Sequence, residues 1–204
     1  MRKDTREIQA QRVIHAPGQK LDLAYTLARG WACRFVLLAD GRRQILSFLL
    51  PGDTIGFGAL WTKNYTPNYG IATLTSVSLC GFAYDPLRAL INESPDQRRH
   101  FARFITGLCR EAEGRLTDIG QRSAESRIAS LVLDLHGRLS ARGLVGKHTF
   151  PLPLRQQDFA DALGLTIAHV NRTLRRLREA KLLELDAGLA RAPDLDALKR
   201  CAGG

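Results

Sequence analysis

The sequence predicts an α+β protein made of an antiparallel β-roll or sandwich (residues 1–94), a long helix (95–122) and a C-terminal winged helix-turn-helix (123–204). Three observations lead to this prediction. Short apolar runs separated by turns fill the first part. Apolar residues at steps of three and four run through the second part. Two short amphipathic helices, followed by a hairpin pattern, occupy the third.

The β-rich part extends from Val13 to about Tyr84. Its apolar runs include CRFVLL and QILSFLL, which are separated by a segment containing Asp40-Gly41. An Asp-Gly pair between two such runs is a strong hairpin signal. Runs at such regular intervals favour an antiparallel sandwich or barrel.

A continuous apolar stripe marks the long helix. Its members are spaced to share one helical face: Phe101, Phe104, Ile105, Leu108, Ala112, Leu116 and Ile119. The stripe could pack against the sandwich or against a second copy of the chain. Gly107 and Gly114 weaken the helix by up to about 1 kcal/mol each, but they permit close approach of another helix. A second amphipathic helix follows Ser123 and turns four residues inward, Ile128, Leu131, Val132 and Leu135.

Residues 154–185 carry the helix-turn-helix pattern. Gly164 permits a sharp turn between the two helices, and Thr166 is a plausible N-cap of the second. The residues predicted to face inward on that helix are Ile167, Val170, Leu174 and Leu177. The opposite side carries Ala168, His169, Asn171, Arg172, Arg175 and Arg176. A predicted strand Leu182–Leu185, a turn at 186–188 and a return strand through Leu189 and Ala190 would form the wing.

This outward face suits the DNA major groove. Arginine reads guanine there and asparagine reads adenine. The alternative is a solvated surface, because Arg-rich outer faces are common on amphipathic helices. The hairpin after the second helix favours DNA binding over that alternative.

Composition restricts the function classes. The chain has 204 residues and a formal charge of +10, with 45% apolar residues. Such a charge favours a polyanion, and both nucleic acid and an anionic membrane satisfy it. No apolar run approaches the 20 or so residues needed to span a bilayer. The polar start, MRKDTREIQAQR, lacks a secretory signal, so we expect a cytoplasmic protein.

No catalytic, metal or cofactor site is predicted. The chain lacks a Ser/His/Asp motif and H-E-x-x-H, and GDTIGFG lacks the lysine of a P-loop. The cysteines lack C-x-x-C spacing and are expected to be apolar fillers, with Cys109 the candidate for a redox-sensitive thiol; they are Cys33, Cys80, Cys109 and Cys201. The histidines are expected at the surface or in the core rather than as haem ligands: His15, His100, His136, His148 and His169.

A β sensor, a long helix and a C-terminal winged helix-turn-helix together resemble the CRP/FNR family of bacterial transcription regulators. The resemblance covers nearly the whole chain. It is most specific in three segments, LPGDTIGFGAL (50–60), RIASLVLDL (127–135) and LRQQDFADALGLTIAHVNRTLRRL (154–177).

The resemblance implies a homodimer on a near-palindromic operator, with RNA polymerase as a partner. It assigns dimerisation to Phe101, Ile105, Leu108, Ala112, Leu116 and Ile119. It assigns DNA binding to Gln156, Thr166, Ala168, His169, Asn171, Arg172, Arg175 and Arg176. Arg172 stands where the family motif ends in an arginine that contacts a base or phosphate. The family commonly has a glutamate one turn earlier, where this chain has Ala168, so the operator need not be that of the best-known members.

The resemblance also gives a test for the effector. Cyclic-nucleotide binders of the family have a glutamate for the ribose and an Arg-Ser pair for the phosphate, but here those positions carry Phe57, Pro67 and Asn68. A cyclic phosphate would then lack a charge partner, so we expect no cyclic AMP. The candidate effector pocket comprises Gly56, Phe57, Gly58, Ala59, Leu60, Pro67 and Asn68. No cysteine cluster for an iron–sulfur centre precedes Cys33.

Two alternatives stay open at this point. One is a regulator that responds to a cyclic nucleotide or another small ligand. The other is a β-sandwich ligand-binding or interaction module with a basic face.

Overall fold

The structure is a computed structural model that describes residues 2–62, 64–146 and 149–203. The chain forms two compact units, residues 1–112 and 113–204, with the boundary inside the long helix. The predicted limits at 94/95 and 122/123 stay predictions. One of the five histidines considered above, His148, lies outside the described residues.

The first unit contains two antiparallel four-stranded sheets. Its strands are β1 Arg2–Ile8, β2 Val13–His15, β3 Ala24–Arg29, β4 Ala32–Leu37, β5 Arg43–Leu49, β6 Thr54–Ile55, β7 Gly70–Thr73 and β8 Val77–Phe82. The strand orders are β1-β8-β3-β6 and β2-β7-β4-β5. The predicted Asp40-Gly41 turn joins β4 to β5, and Gly41 has a φ of 81°.

The core of this unit lies between the two sheets. Leu27 and Leu79 come from one sheet and Ala32 and Ile71 from the other, and all four are fully buried in one cluster. Alternation along each strand places such residues on the inner faces. The predicted antiparallel β-roll is therefore confirmed.

Helices follow the last strand of the roll. Helix α1 is Tyr84–Glu93 and helix α2 is Pro95–Gln121, which is 27 residues long. Helix α3, Ala124–Ser140, begins after Ser123, whose Oγ accepts a hydrogen bond from the Ser126 amide at 3.2 Å. The four residues predicted to face inward on α3 are buried: Ile128, Leu131, Val132 and Leu135.

The second unit is completed by a three-stranded sheet and three short helices. They are β9 Thr149–Pro151, α4 Gln156–Leu163, α5 Ile167–Glu179, β10 Glu184–Asp186, β11 Leu189–Arg191 and α6 Leu195–Cys201. The strand order is β10-β11-β9, all antiparallel. The hairpin β10–β11 is the wing that the sequence predicts.

The wing differs in detail from the prediction. Strand β10 begins at Glu184 rather than Leu182, and it includes Asp186. The turn is therefore only two residues long, Ala187 and Gly188, both with positive φ (46° and 80°). A two-residue turn with positive φ at both positions has the same backbone twist as the flanking strands, so it can close the hairpin directly.

Candidate nucleic-acid interface

A tight turn joins the two helices of the helix-turn-helix. Gly164 ends α4 with φ 65° and ψ 36°, and its N–H donates to the Ala160 carbonyl. Thr166 then caps α5, because its Oγ1 accepts a hydrogen bond from the His169 amide at 3.2 Å. Both local signals in the sequence thus act as predicted. The cap uses Thr166 Oγ1 as an acceptor, and the O–H group can still donate to a ligand.

The start of α4 depends on a carboxylate that sequence reasoning missed. Asp158 is buried, and its Oδ2 accepts a hydrogen bond from the Arg155 backbone N–H at 2.9 Å. This is the side-chain half of a capping box, in which the third residue of a helix reaches back to the N-cap residue. The aspartate three positions after Arg155 is the sequence signal that could have revealed this capping box.

The buried face of α5 differs from the prediction at one end. Val170 and Leu177 are buried as expected, together with Thr173, whose hydroxyl donates to the His169 carbonyl at 2.9 Å. The prediction for Ile167 is wrong, because its side chain is 47% exposed. Since the buried face centres on Val170, Thr173 and Leu177, Ile167 falls at its edge in the first turn, and Leu174 is only half-buried.

The opposite face of α5 presents Ala168, Arg172 and Arg175 to solvent. Arg172 forms no hydrogen bond or ion pair with any residue in the described part of the chain. Arg175 is paired along its own helix, with Nε 2.8 Å from Glu179 Oε1. This face therefore offers at least one arginine whose hydrogen-bonding groups are all available to a ligand.

Arg176 is placed differently from the other candidates. Its Nη1 lies 2.9 Å from Glu125 Oε1 on α3. This hydrogen bond lowers the pKa of the Glu125 carboxyl below its usual range. The pair attaches α5 to α3, so Arg176 has a structural partner inside the unit in addition to its predicted role in DNA binding.

Gln156 and Asn171 meet between the two helices. Asn171 Nδ2 donates to Gln156 Oε1 at 3.2 Å, and both side chains are otherwise exposed. The two residues line a cleft of about 400 Å³ between α4, α5 and the wing. The same cleft is lined by three arginines, Arg155, Arg175 and Arg178. His169 is half-buried and is the least accessible of the candidates on α5.

The candidate effector positions in the first unit are closely packed. Gly56 is buried with φ 85°, and a Cβ there would lie 2.9 Å from the Tyr84 hydroxyl. A Cβ on Gly58 would lie 2.5 Å from the Tyr65 ring. These glycines therefore allow tyrosine side chains to approach the loop. The next residues form a short 3-10 helix, Phe57–Leu60, which contains Ala59 and the buried Leu60.

Phe57 is part of an aromatic cluster with the first half of α2. Its ring centroid lies 5.6 Å from the rings of both Phe101 and Phe104. Trp61 stacks near Phe101 with a centroid distance of 4.3 Å. Phe101, which was predicted to take part in dimerisation, therefore packs against its own β-roll.

The rest of the predicted α2 stripe is more open. Leu108 is half-buried and Ala112 is exposed. Three large apolar side chains are also exposed: Ile105 at 39%, Leu116 at 73% and Ile119 at 40%. The stripe thus has one part that contacts the β-roll and one part that the described chain leaves uncovered.

The other two effector positions, Pro67 and Asn68, carry uncharged side chains. Pro67 is buried and its carbonyl accepts a hydrogen bond from the Gly18 amide at 2.7 Å. Asn68 is exposed. Pro67 has no backbone N–H to offer a phosphate. Neither side chain therefore brings a positive charge to a phosphate.

Metal ligands are not grouped in the described ranges. Among those residues, no three His, Cys, Asp or Glu side chains lie close enough to hold a metal ion. Cys33 is buried, Cys80 and Cys201 are half-buried, and Cys109 is exposed on α2. Nor does any helix in the described part of the chain have the length and apolar character needed to cross a membrane.

A β-roll, a long helix and a winged helix-turn-helix with exposed arginines define the architecture of a DNA-binding transcription regulator. Residues 5–94 match the model of the cyclic nucleotide-binding domain, and residues 126–201 match that of the Crp-like helix-turn-helix domain. The chain belongs to the CRP/FNR family of transcription regulators.

Two curated relatives illustrate the similarity. The chain is 34% identical over 181 residues to the transcriptional activatory protein AadR of Rhodopseudomonas palustris, covering 85% of this chain and 74% of that protein. It is 36% identical over 154 residues to the nitrogen fixation regulation protein FixK of Bradyrhizobium diazoefficiens, covering 75% of this chain and 62% of that protein.

A solved structure has the same fold. FixK2 from Bradyrhizobium japonicum superposes with a TM-score of 0.84 over 98% of this chain and 97% of that chain, at 23% identity. The two family models and the curated relatives, together with this fold, confirm the family that the sequence resembles.

Proposed function

We propose that this regulator binds a near-palindromic operator as a homodimer through residues 166–180, without cyclic AMP and without an iron–sulfur cluster. The proposal depends mainly on the exposure of Arg172. It is exposed on the outer face of α5 and is unpaired among the described residues, so its guanidinium is available to a guanine edge or a phosphate.

Support for the homodimer comes from α2. Leu116 and Ile119 are large apolar residues that lie on one helical face and are exposed in a single chain. Covering such a face with its copy buries apolar surface. Dimeric helix-turn-helix proteins bind half-sites about one DNA turn apart, which is the arrangement we propose. In this proposal RNA polymerase is the protein partner at the promoter, and the cytoplasm is where the regulator acts.

Support for independence from cyclic AMP comes from the loop at residues 56–68. Phe57 replaces the carboxylate expected for a ribose, and its ring is occupied by contacts with Phe101 and Phe104. No arginine stands at Pro67 or Asn68 to neutralise a phosphate. A small-molecule effector of this regulator would therefore have a different chemistry.

The experiment compares Arg172→Ala with Arg29→Ala, which removes the same charge from an exposed site on the β-roll. Fluorescence anisotropy measures binding to two duplexes. One is the operator that the wild-type protein selects from a random duplex library, and the other is a scrambled version of it. We expect Arg172→Ala to bind both duplexes equally weakly while retaining its far-UV circular dichroism and its oligomeric mass. Arg29→Ala is expected to keep the wild-type preference. Normal operator binding by Arg172→Ala would refute the assignment of a base or phosphate contact to Arg172.

A further inference from the structure

We propose that Gln156 is a positioning residue that orients the Asn171 amide to read an adenine–thymine pair in each half-site. This inference rests on the proposed DNA-binding function. It goes beyond that function by naming the base pair and a residue outside the recognition helix that determines its recognition.

The hydrogen bond between the two residues is the starting point. Gln156 is the first residue of α4 and Asn171 lies in the second turn of α5, and their side chains meet at 3.2 Å with Asn171 Nδ2 as the donor. Within the described residues neither side chain has another hydrogen-bonding partner. The Asn171 amide is thus held by one contact and is otherwise open to solvent.

The remaining atoms of the Asn171 amide match adenine. An amide has two N–H donors and one carbonyl acceptor. Because Gln156 Oε1 takes one N–H, Asn171 presents its second N–H beside Oδ1. Adenine offers N7 as an acceptor and its N6 amino group as a donor in the major groove, so the two edges pair in a bidentate manner.

The polarity of the pair is set by the surroundings of Gln156. Reversing both amides would make Gln156 the donor and leave Oε1 directed away from Asn171. The cleft that both residues line also contains Arg155, Arg175 and Arg178, a set of charges that attracts a DNA phosphate. A phosphate oxygen accepts hydrogen bonds only, so it favours the Gln156 N–H groups outward and Oε1 toward Asn171. A contact between Gln156 and a DNA phosphate therefore selects the orientation of the two amides in which Asn171 reads adenine.

Ala168 leaves space for this contact. It lies three residues before Asn171 on the same side of α5 and is exposed. Its short side chain cannot reach the base that Asn171 addresses. In this chain the discrimination at that position rests on Asn171 and on the residue that orients it.

The test uses the operator selected by the wild-type protein from a random duplex library. Dissociation constants are measured for variants of that operator with each of the four base pairs at every half-site position. We expect one position, repeated in both half-sites, to prefer adenine by roughly tenfold or more. Both Asn171→Ala and Gln156→Leu are expected to lose most of this preference while keeping the preferences elsewhere.

Two further variants separate positioning from general damage. Gln156→Glu retains an acceptor for Asn171, so it is expected to keep the adenine preference even though a carboxylate weakens binding next to a phosphate. Gln157→Leu is the matched control. Gln157 is the exposed neighbour of Gln156 in the sequence, but its side chain donates a hydrogen bond to Asp161 rather than contacting Asn171. It is expected to leave the preference unchanged.

The outcomes distinguish the two proposals. If Asn171→Ala loses the preference and Gln156→Leu keeps it, Gln156 does not position the reader and the inference is wrong. If Asn171→Ala itself keeps it, Asn171 reads no base and the inference also fails, while DNA binding stands. If the wild-type protein selects no duplex at all, the proposed function fails and takes this inference with it.

Discussion

Arg176 on α5 donates a hydrogen bond to Glu125 on α3, with Nη1 and Oε1 separated by 2.9 Å. The two residues are 51 positions apart in the sequence. Their pairing means that one of the arginines predicted to contact DNA also links α5 to α3.

A double-mutant cycle on Glu125→Gln and Arg176→Ala tests this ion pair between α5 and α3. Because the pair is largely at the surface, we expect a coupling free energy of about 0.2–1 kcal/mol from urea unfolding at pH 7. The Arg176 hydrogen bond lowers the pKa of Glu125 in the folded state, so the stabilisation is present above the unfolded pKa near 4.3. It is expected to disappear as the pH falls through the lower folded pKa. Strictly additive effects at pH 7 would show that the contact contributes nothing.

Binding to the operator is expected to depend steeply on salt. If arginines on α5 and around the cleft contact phosphates, the affinity should fall by orders of magnitude between about 50 and 200 mM salt. Anisotropy titrations at several salt concentrations give the slope. A flat dependence would contradict the electrostatic role of this face.

The exposed half of the α2 stripe provides a test of the dimer. Leu116→Asp places a charge at Leu116, which is 73% exposed and more exposed than Ile105 or Ile119. We expect monomers by light scattering and poor operator affinity. The same outcome is expected for Leu108→Asp, although Leu108 is half-buried and its substitution also risks the fold.

Leu37→Asp is the control for that experiment. Leu37 is 60% exposed on the β-roll, away from α2 in the sequence. The variant should remain a dimer. A Leu116→Asp protein that stays dimeric would place the interface elsewhere.

Cyclic AMP is expected to leave the protein unaffected. With Phe57 packed against Phe101 and no arginine for the phosphate, millimolar cyclic AMP should neither release heat in calorimetry nor raise the Tm. Saturable heat at a stoichiometry of one per chain would mean that other residues of the β-roll supply the phosphate site.

Local signals made much of the fold predictable. Gly164 and Thr166 define the turn and the cap within three residues, and the Asp40-Gly41 pair sets a hairpin. The helical stripe of α3 also follows from spacing alone. Each of these depends on residues that are near neighbours in the sequence, so no tertiary information is required.

The remaining features depend on contacts between distant segments. Phe101 and Ile119 satisfy the same helical spacing, but only the three-dimensional structure shows that the first packs against Phe57. Strand β9 is three residues long and pairs with β11, about 40 positions later, so its sequence carries little signal of its own. The Gln156–Asn171 contact likewise requires the relative placement of two helices.

The most direct test is a selection of DNA from a random duplex library by the purified protein, performed with and without cyclic AMP. Our account predicts a near-palindromic site that is enriched equally under both conditions. Enrichment only in the presence of cyclic AMP, or of a site without two-fold symmetry, would contradict it.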